Sequence, residues 1–179
     1  MNIKDSLTGI YNRRYLETRL AEEFERHKRY SNPFSIIILD LDHFKKINDT
    51  YGHQCGDYIL KYLTHLIVKR MRTVDILARY GGDELTLILT QSDMASARIV
   101  TEKIIEGMKR LKFTLPDKKK LKLGISGGIA IYPVHARSGP DLLRAADAAL
   151  YHAKKHSRGT FQMARGVTGP IATHKIGGE

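Results

Sequence analysis

The apolar positions fall into two kinds of stretch. Phe34-Ser35-Ile36-Ile37-Ile38-Leu39 is a short, β-branched and nearly unbroken apolar run, the pattern of a strand buried on both faces, and it ends in Asp40-Leu41-Asp42. Other segments repeat their apolar residues every three or four positions, which predicts helices. The first runs from about Arg13 to Arg29, with Tyr15, Leu16, Leu20 and Phe24 on one face, Asn12 as its cap and Asn32-Pro33 as its stop. A second runs from about Gln54 to Arg70, carrying Ile59, Leu60, Leu63, Leu66 and Ile67. A third starts at Ser92 or Asp93 and reaches about Leu111. A fourth is opened by Ser138-Gly139-Pro140-Asp141 and ends near His156. A shorter helix, His43 to Ile47, is expected after Asp42 as its cap, followed by a loop over Asn48–Gly52. Strands are predicted at Asp75–Arg79, Leu85–Leu89, Leu121–Tyr132 and Thr160–Ala164.

The resulting order is α-β-α-α-β-β-α-β-α-β. A hairpin inside an alternating pattern argues for an α+β fold with a mixed sheet flanked by helices, not a doubly wound parallel sheet. Residues 1–165 are expected to form one domain and residues 166–179, which lack periodicity, a loose tail.

Composition narrows the partners. The chain has 179 residues and a formal charge of +11, which suits a polyanionic partner such as a nucleotide phosphate. The excess is dispersed, and Lys118-Lys119-Lys120 reads as a solvated loop. No surface-spaced aromatic cluster accompanies the charge, so nucleic acid is not expected as a partner. No apolar run reaches membrane-spanning length and no signal-peptide pattern is present, so a cytoplasmic location is expected. The single cysteine, Cys55, excludes an internal disulfide and a Cys-based zinc site.

The candidate chemistry centres on Arg79-Tyr80-Gly81-Gly82-Asp83-Glu84-Leu85. Gly81-Gly82 suits a tight hairpin, and two acids follow at once. A solvated turn is the plain alternative. If the strand ending in Asp40 neighbours this hairpin, Asp40 and Asp83 converge, and close carboxylates call for a cation. Oxygen ligands without His or Cys point to Mg²⁺ or Mn²⁺. The helix N-terminus near His43, Phe44 and Lys45 offers free N–H groups to an anion. Lys154 and Arg158 lie four apart and suit a triphosphate, or equally a cationic helix end. Asn48 and Asp57 have the groups to read guanine; each is also ordinary as a turn or first-turn residue.

Taken together these residues resemble the GGDEF family, the bacterial diguanylate cyclases. Besides Arg79–Leu85, the similarity rests on Asp5-Ser6-Leu7-Thr8-Gly9-Ile10-Tyr11-Asn12-Arg13-Arg14, Asp40–Asp49, Gly52–Asp57 and Ala148–Lys155, in order, over about residues 5–160. The resemblance implies a ferredoxin-like nucleotide-cyclase palm and the joining of two GTP into cyclic di-GMP with release of two pyrophosphates. It implies that Asp40, the Leu41 carbonyl, Asp83 and Glu84 bind metal, with Asp83, Glu84 and Lys45 in catalysis. Asn48, His53 and Asp57 would form the guanine site; Phe44, Lys45, Lys154 and Arg158 would hold phosphates. Two GTP-loaded domains must face each other, so a homodimer is implied. Arg72-Thr73-Val74-Asp75 matches the family's Arg-x-x-Asp inhibitory motif, with Arg79 expected close by. Leu85 replaces the usual phenylalanine, and Ser157 and Gly159 stand where glycine and asparagine are common. The first motif lies almost at the start of the chain, and an N-terminal sensor domain, usual in the family, is expected to lie outside it. A catalytically silent receptor for cyclic di-GMP or GTP is the competing expectation.

Overall fold

The computed structural model describes residues 2–115 and 117–166. Tyr11–Asn12 forms a two-residue strand, β1, and Asn12 caps α1 (Arg13–Tyr30) by accepting from the Tyr15 amide at 3.0 Å. The long apolar run is β2 (Phe34–Leu41). Two helices follow, α2 (Phe44–Tyr51) and α3 (His53–Val68), then β3 (Ile76–Gly81) and β4 (Glu84–Leu89). Asp93 caps α4 (Met94–Arg110) through the Ser96 amide. A small two-stranded ribbon, β5 (Lys112–Thr114) and β6 (Lys120–Lys122), leads into β7 (Ile125–Tyr132). Ser138 caps α5 (Gly139–His156), and β8 (Phe161–Met163) ends the described fold.

The main sheet has the order β1-β3-β4-β2-β7-β8. Its four central strands are antiparallel, while β1 on β3 and β8 on β7 are parallel, so the sheet is mixed as expected. The core path β2-α3-β3-β4-α4-β7 is the ferredoxin-like βαββαβ arrangement. Strand β2 lies between β4 and β7 and its side chains alternate between two cores. Ile36 and Ile38 pack with α1 and α5; Ile37 and Leu39 pack with α3 and α4. Asp40 continues the first series, so it emerges at the end of the α1–α5 face. Leu85 is fully buried, as its apolar position predicts.

Several local expectations are corrected. Asp42 does not cap α2; the N-cap is His43 in a left-handed conformation (φ 58), with no side-chain cap. The loop expected over Asn48–Gly52 is helical to Tyr51, because Gly52 (φ 88) supplies the break instead. The strand expected over Leu121–Tyr132 is interrupted at Leu123–Gly124, where the Gly124 carbonyl accepts the Asp42 amide at 2.9 Å. Asp75 precedes β3 instead of starting it. From residue 167 on, the tail expected over 166–179 lies outside the described residues.

Candidate functional site

The centre of the site is one row across three strands. Asp40 pairs in register with Glu84 on β4 and with Ser126 on β7. Gly82 (φ +43) allows the two-residue turn between β3 and β4, and a register shift after Arg79 tightens it. That turn brings the Asp83 carboxyl within hydrogen-bonding reach of Asp40. Burial pushes Asp83 up to about 8, with Asp40 adding to the rise. Burial also raises Glu84 to about 7, helped by Asp147 and Asp40. Lys154, near the end of α5, places its ammonium on the Asp40 carboxylate and pulls both values down. Asp40 Oδ1 and Glu84 Oε1 are nevertheless buried without a hydrogen-bond partner.

Orphaned carboxylate oxygens among raised acids are what a hard divalent cation would satisfy, so this donor set fits one. Among the described residues no three His, Cys, Asp or Glu side chains form a complete ligand cage. Magnesium usually fills much of its coordination shell with waters and substrate phosphates.

The second part of the site lies between α2 and α3. The first amides of α2, at Phe44 and Lys45, precede its hydrogen-bonded turns, and Lys45 is exposed. Gly56, the residue before Asp57, sets the start of α3 against Asn48. The Asn48 amide lies where a Gly56 side chain would be, and the Phe44 ring is 3.1 Å from that same position. Asn48 Oδ1 is buried and unpartnered, whereas His53 and Asp57 at the start of α3 are exposed. Gly56→Ala would drive a methyl into the Asn48 amide. If Asn48 pairs with a guanine base, GTP binding measured by titration calorimetry should weaken about tenfold or more. Unchanged affinity would separate Asn48 from base recognition.

Arg158, just beyond α5, stands 3.8 Å from Asp42 and is 43% exposed. With His43, Lys46 and Lys122 it borders a cleft of ≈ 540 Å³. Lys154 and Arg158 therefore both face the end of β2, each opposite an aspartate.

Arg72 and Asp75 form a bidentate pair at 2.8 and 3.1 Å, and Arg72 also donates to the Thr90 carbonyl at 2.7 Å. Asp75 is buried and accepts the Arg72 and Thr90 amides as well, so the pair ties the start of β3 to the end of β4. Arg79 is not part of this cluster. It sits at the far end of β3, donating to the Gly82 carbonyl at 2.9 Å and facing Asp5 at 3.4 Å. The strand separates Asp75 from Arg79 by roughly four residues of ~3.3 Å each.

Reading the sequence alone missed Asp147, Arg13 and Ser126. Asp147 is buried on α5, seven positions before Lys154 and hence on the same face, and raises Glu84. That spacing was available as a signal. Arg13 stacks 4.4 Å over the Tyr80 ring beside the hairpin. Only the register of β2 with β7 reveals Ser126.

A family model described as "Diguanylate cyclase, GGDEF domain" matches residues 2–160. The protein named "Probable diguanylate cyclase DgcC" of Escherichia coli is 37% identical over 164 residues, covering 92% of this chain and 44% of the relative. The chain thus spans less than half the length of that relative. The GGDEF domain of PA1120 (TpbB or YfiN) from Pseudomonas aeruginosa superposes with a TM-score of 0.86 at 34% identity, over 90% of this chain and 94% of that one. The GGDEF domain of DgcB from Caulobacter crescentus, solved in complex with c-di-GMP, gives 0.86 at 27% identity, over 91% and 96%. Among the described residues no helix is long and apolar enough to cross a membrane.

Proposed function

Because the chain belongs to the GGDEF diguanylate cyclase family, we propose that it condenses two GTP into cyclic di-GMP and releases two pyrophosphates. The observation that carries this reading is the meeting of Asp40, Asp83 and Glu84 at one end of the sheet, facing Lys154. Asp40, Asp83, Glu84 and the Leu41 carbonyl would hold Mg²⁺ or Mn²⁺. When bound, such an ion lowers the pKa of a ribose hydroxyl and neutralises phosphoryl charge.

The chain's own groups do the rest. Asn48 and Asp57 accept and donate along the guanine edge, with His53 beside them. A carboxylate at Asp57 suits the N1–H and N2 amine of guanine and disfavours adenine. The amides at Phe44 and Lys45, with the side chains of Lys45, Lys154 and Arg158, hold the triphosphate and stabilise charge that builds on its oxygens. The 3′-hydroxyl of one GTP attacks the α-phosphorus of the other. Asp83 or Glu84, the acids beside that hydroxyl, would take its proton. One GTP per domain requires two copies to face each other, so the reaction belongs to a homodimer.

Incubating the purified domain with GTP and Mg²⁺, with dimerisation enforced by a fused coiled coil, should give cyclic di-GMP by chromatography. GTP left intact under those conditions would favour a silent receptor. Product inhibition through Arg72 and Asp75 belongs to the same reading, since the Arg72 side chain is 55% exposed beside Asp75. Arg72→Ala is expected to raise the cyclic di-GMP concentration for half-inhibition by about tenfold or more, because a charge-assisted pair is lost. An unaltered inhibition curve would remove that site.

A further inference from the structure

Asp42 and Ser126 are buried polar side chains that the chemistry above does not use. They are joined to each other and to the segment that carries Arg158. Ser126 Oγ donates to Asp42 Oδ1 at 2.6 Å and accepts the Gly159 amide at 3.1 Å. The same Asp42 oxygen faces Arg158 Nη1 at 3.8 Å. Asp42 fits there only because residue 124 is glycine; a Cβ at that position would come within 2.7 Å of its Oδ2. The next link of the segment is also fastened to β7, through the Gly127 amide and the Thr160 carbonyl at 2.9 Å.

We propose that Ser126 is a positioning residue for Arg158, acting through the Asp42 carboxylate and the Gly159 amide. The inference rests on the reading of Arg158 as a phosphate ligand. One hydroxyl uses both of its hydrogen-bonding roles here. As a donor it fixes the rotation of the carboxylate that faces the guanidinium. As an acceptor it fixes the backbone one residue beyond Arg158. Without it the Gly159 amide loses its acceptor, and the Asp42 carboxylate turns freely and pairs more closely with Arg158. Both changes draw the guanidinium away from a phosphate. The side chain of Ser126 is fully buried, so it acts on substrate only through these neighbours.

A double-mutant cycle tests this, with the dissociation constant for α,β-methylene GTP as the readout, since that analogue binds but cannot release pyrophosphate. Ser126→Ala and Arg158→Ala are each expected to weaken binding about tenfold. The double variant should also be about tenfold weaker, because the serine has nothing left to position. A double variant about a hundredfold weaker, or a Ser126→Ala variant with unchanged affinity, would overturn the proposal. If Ser126→Ala does not fold, Ser126→Cys, nearly the same size but only a weak donor and acceptor, takes its place in the cycle, with the same outcomes. A wild-type domain that binds no analogue overturns the parent reading along with the relay. Wild-type binding with independent losses overturns the relay alone.

Discussion

Replacing Asp83 by Asn is expected to cut cyclic di-GMP synthesis by about a thousandfold or more while making the metal-free domain more stable above about pH 4. In the proposed reaction, the loss follows from removing a charged oxygen donor to the metal ion. The gain follows from the raised carboxyl. Asp83 moves from an ordinary 3.8 to about 8, chiefly through burial. The folded chain therefore keeps a proton that the unfolded chain gives up in this window. Stability of the metal-free domain falls as pH climbs from about 4 to about 8, then levels off. Asparagine does not ionise, so its curve is flatter. The group keeps some solvent contact, so the expected gap at pH 8 is modest, about 1–2 kcal/mol or ~3–6 °C in melting temperature. Thermal melts in chelator at pH 5 to 8 read it directly. Parallel curves for the two proteins would show that Asp83 ionises freely in the fold, and unchanged turnover would take it out of the metal site.

Gly128→Ala should be the most damaging single methyl addition in the sheet. A Cβ at residue 128 would overlap the Ala146 carbonyl oxygen and the Leu150 amide, both backbone atoms of α5. Backbone in a packed helix cannot step aside as a side-chain tip can, so α5 must lift from β7. A cost of about 3 kcal/mol or more is expected, or ~6–12 °C in melting temperature. Because α5 carries Lys154 and leads into Arg158, affinity for GTP should fall with it. Gly81→Ala is the internal control: nothing lies within 4 Å of its would-be Cβ and its φ is not positive, so the melting temperature should stay within about 2 °C. Equal melting temperatures for both variants would show that α5 does not press on Gly128 in solution.

Much of this layout was legible in the sequence where one local rule decided it. Asn12 and Ser138 announce their helices, and the pair Ser92-Asp93 a third whose cap proves to be Asp93, because an N-cap needs only the residues just after it. The isoleucine run announces β2 because burial on both faces leaves no polar alternation. The hairpin was readable from its glycines. The meeting of Asp40 with Asp83 was an expectation, since spacing does not state which strands are neighbours. The partners of Asp42 were misjudged for a related reason. An Asp before a short helix looks like a cap, yet its carboxylate is taken by Ser126, 84 positions away. The same limit explains Arg79: proximity in sequence to Asp75 says little when a strand carries the two to opposite ends. Strands β1 and β5, two and three residues long, are too short to leave a periodic trace.

The insertion of β2 between β4 and β7 has a kinetic consequence. The row Asp40, Glu84 and Ser126 is assembled from three regions of the chain that touch only after both long crossovers have closed. A partly folded chain can possess every helix and still lack the acidic cluster. The proposed divalent-ion affinity should therefore arrive last on refolding, in a single step with the final sheet closure, and an ion-sensitive fluorescence signal would time the end of folding for this topology.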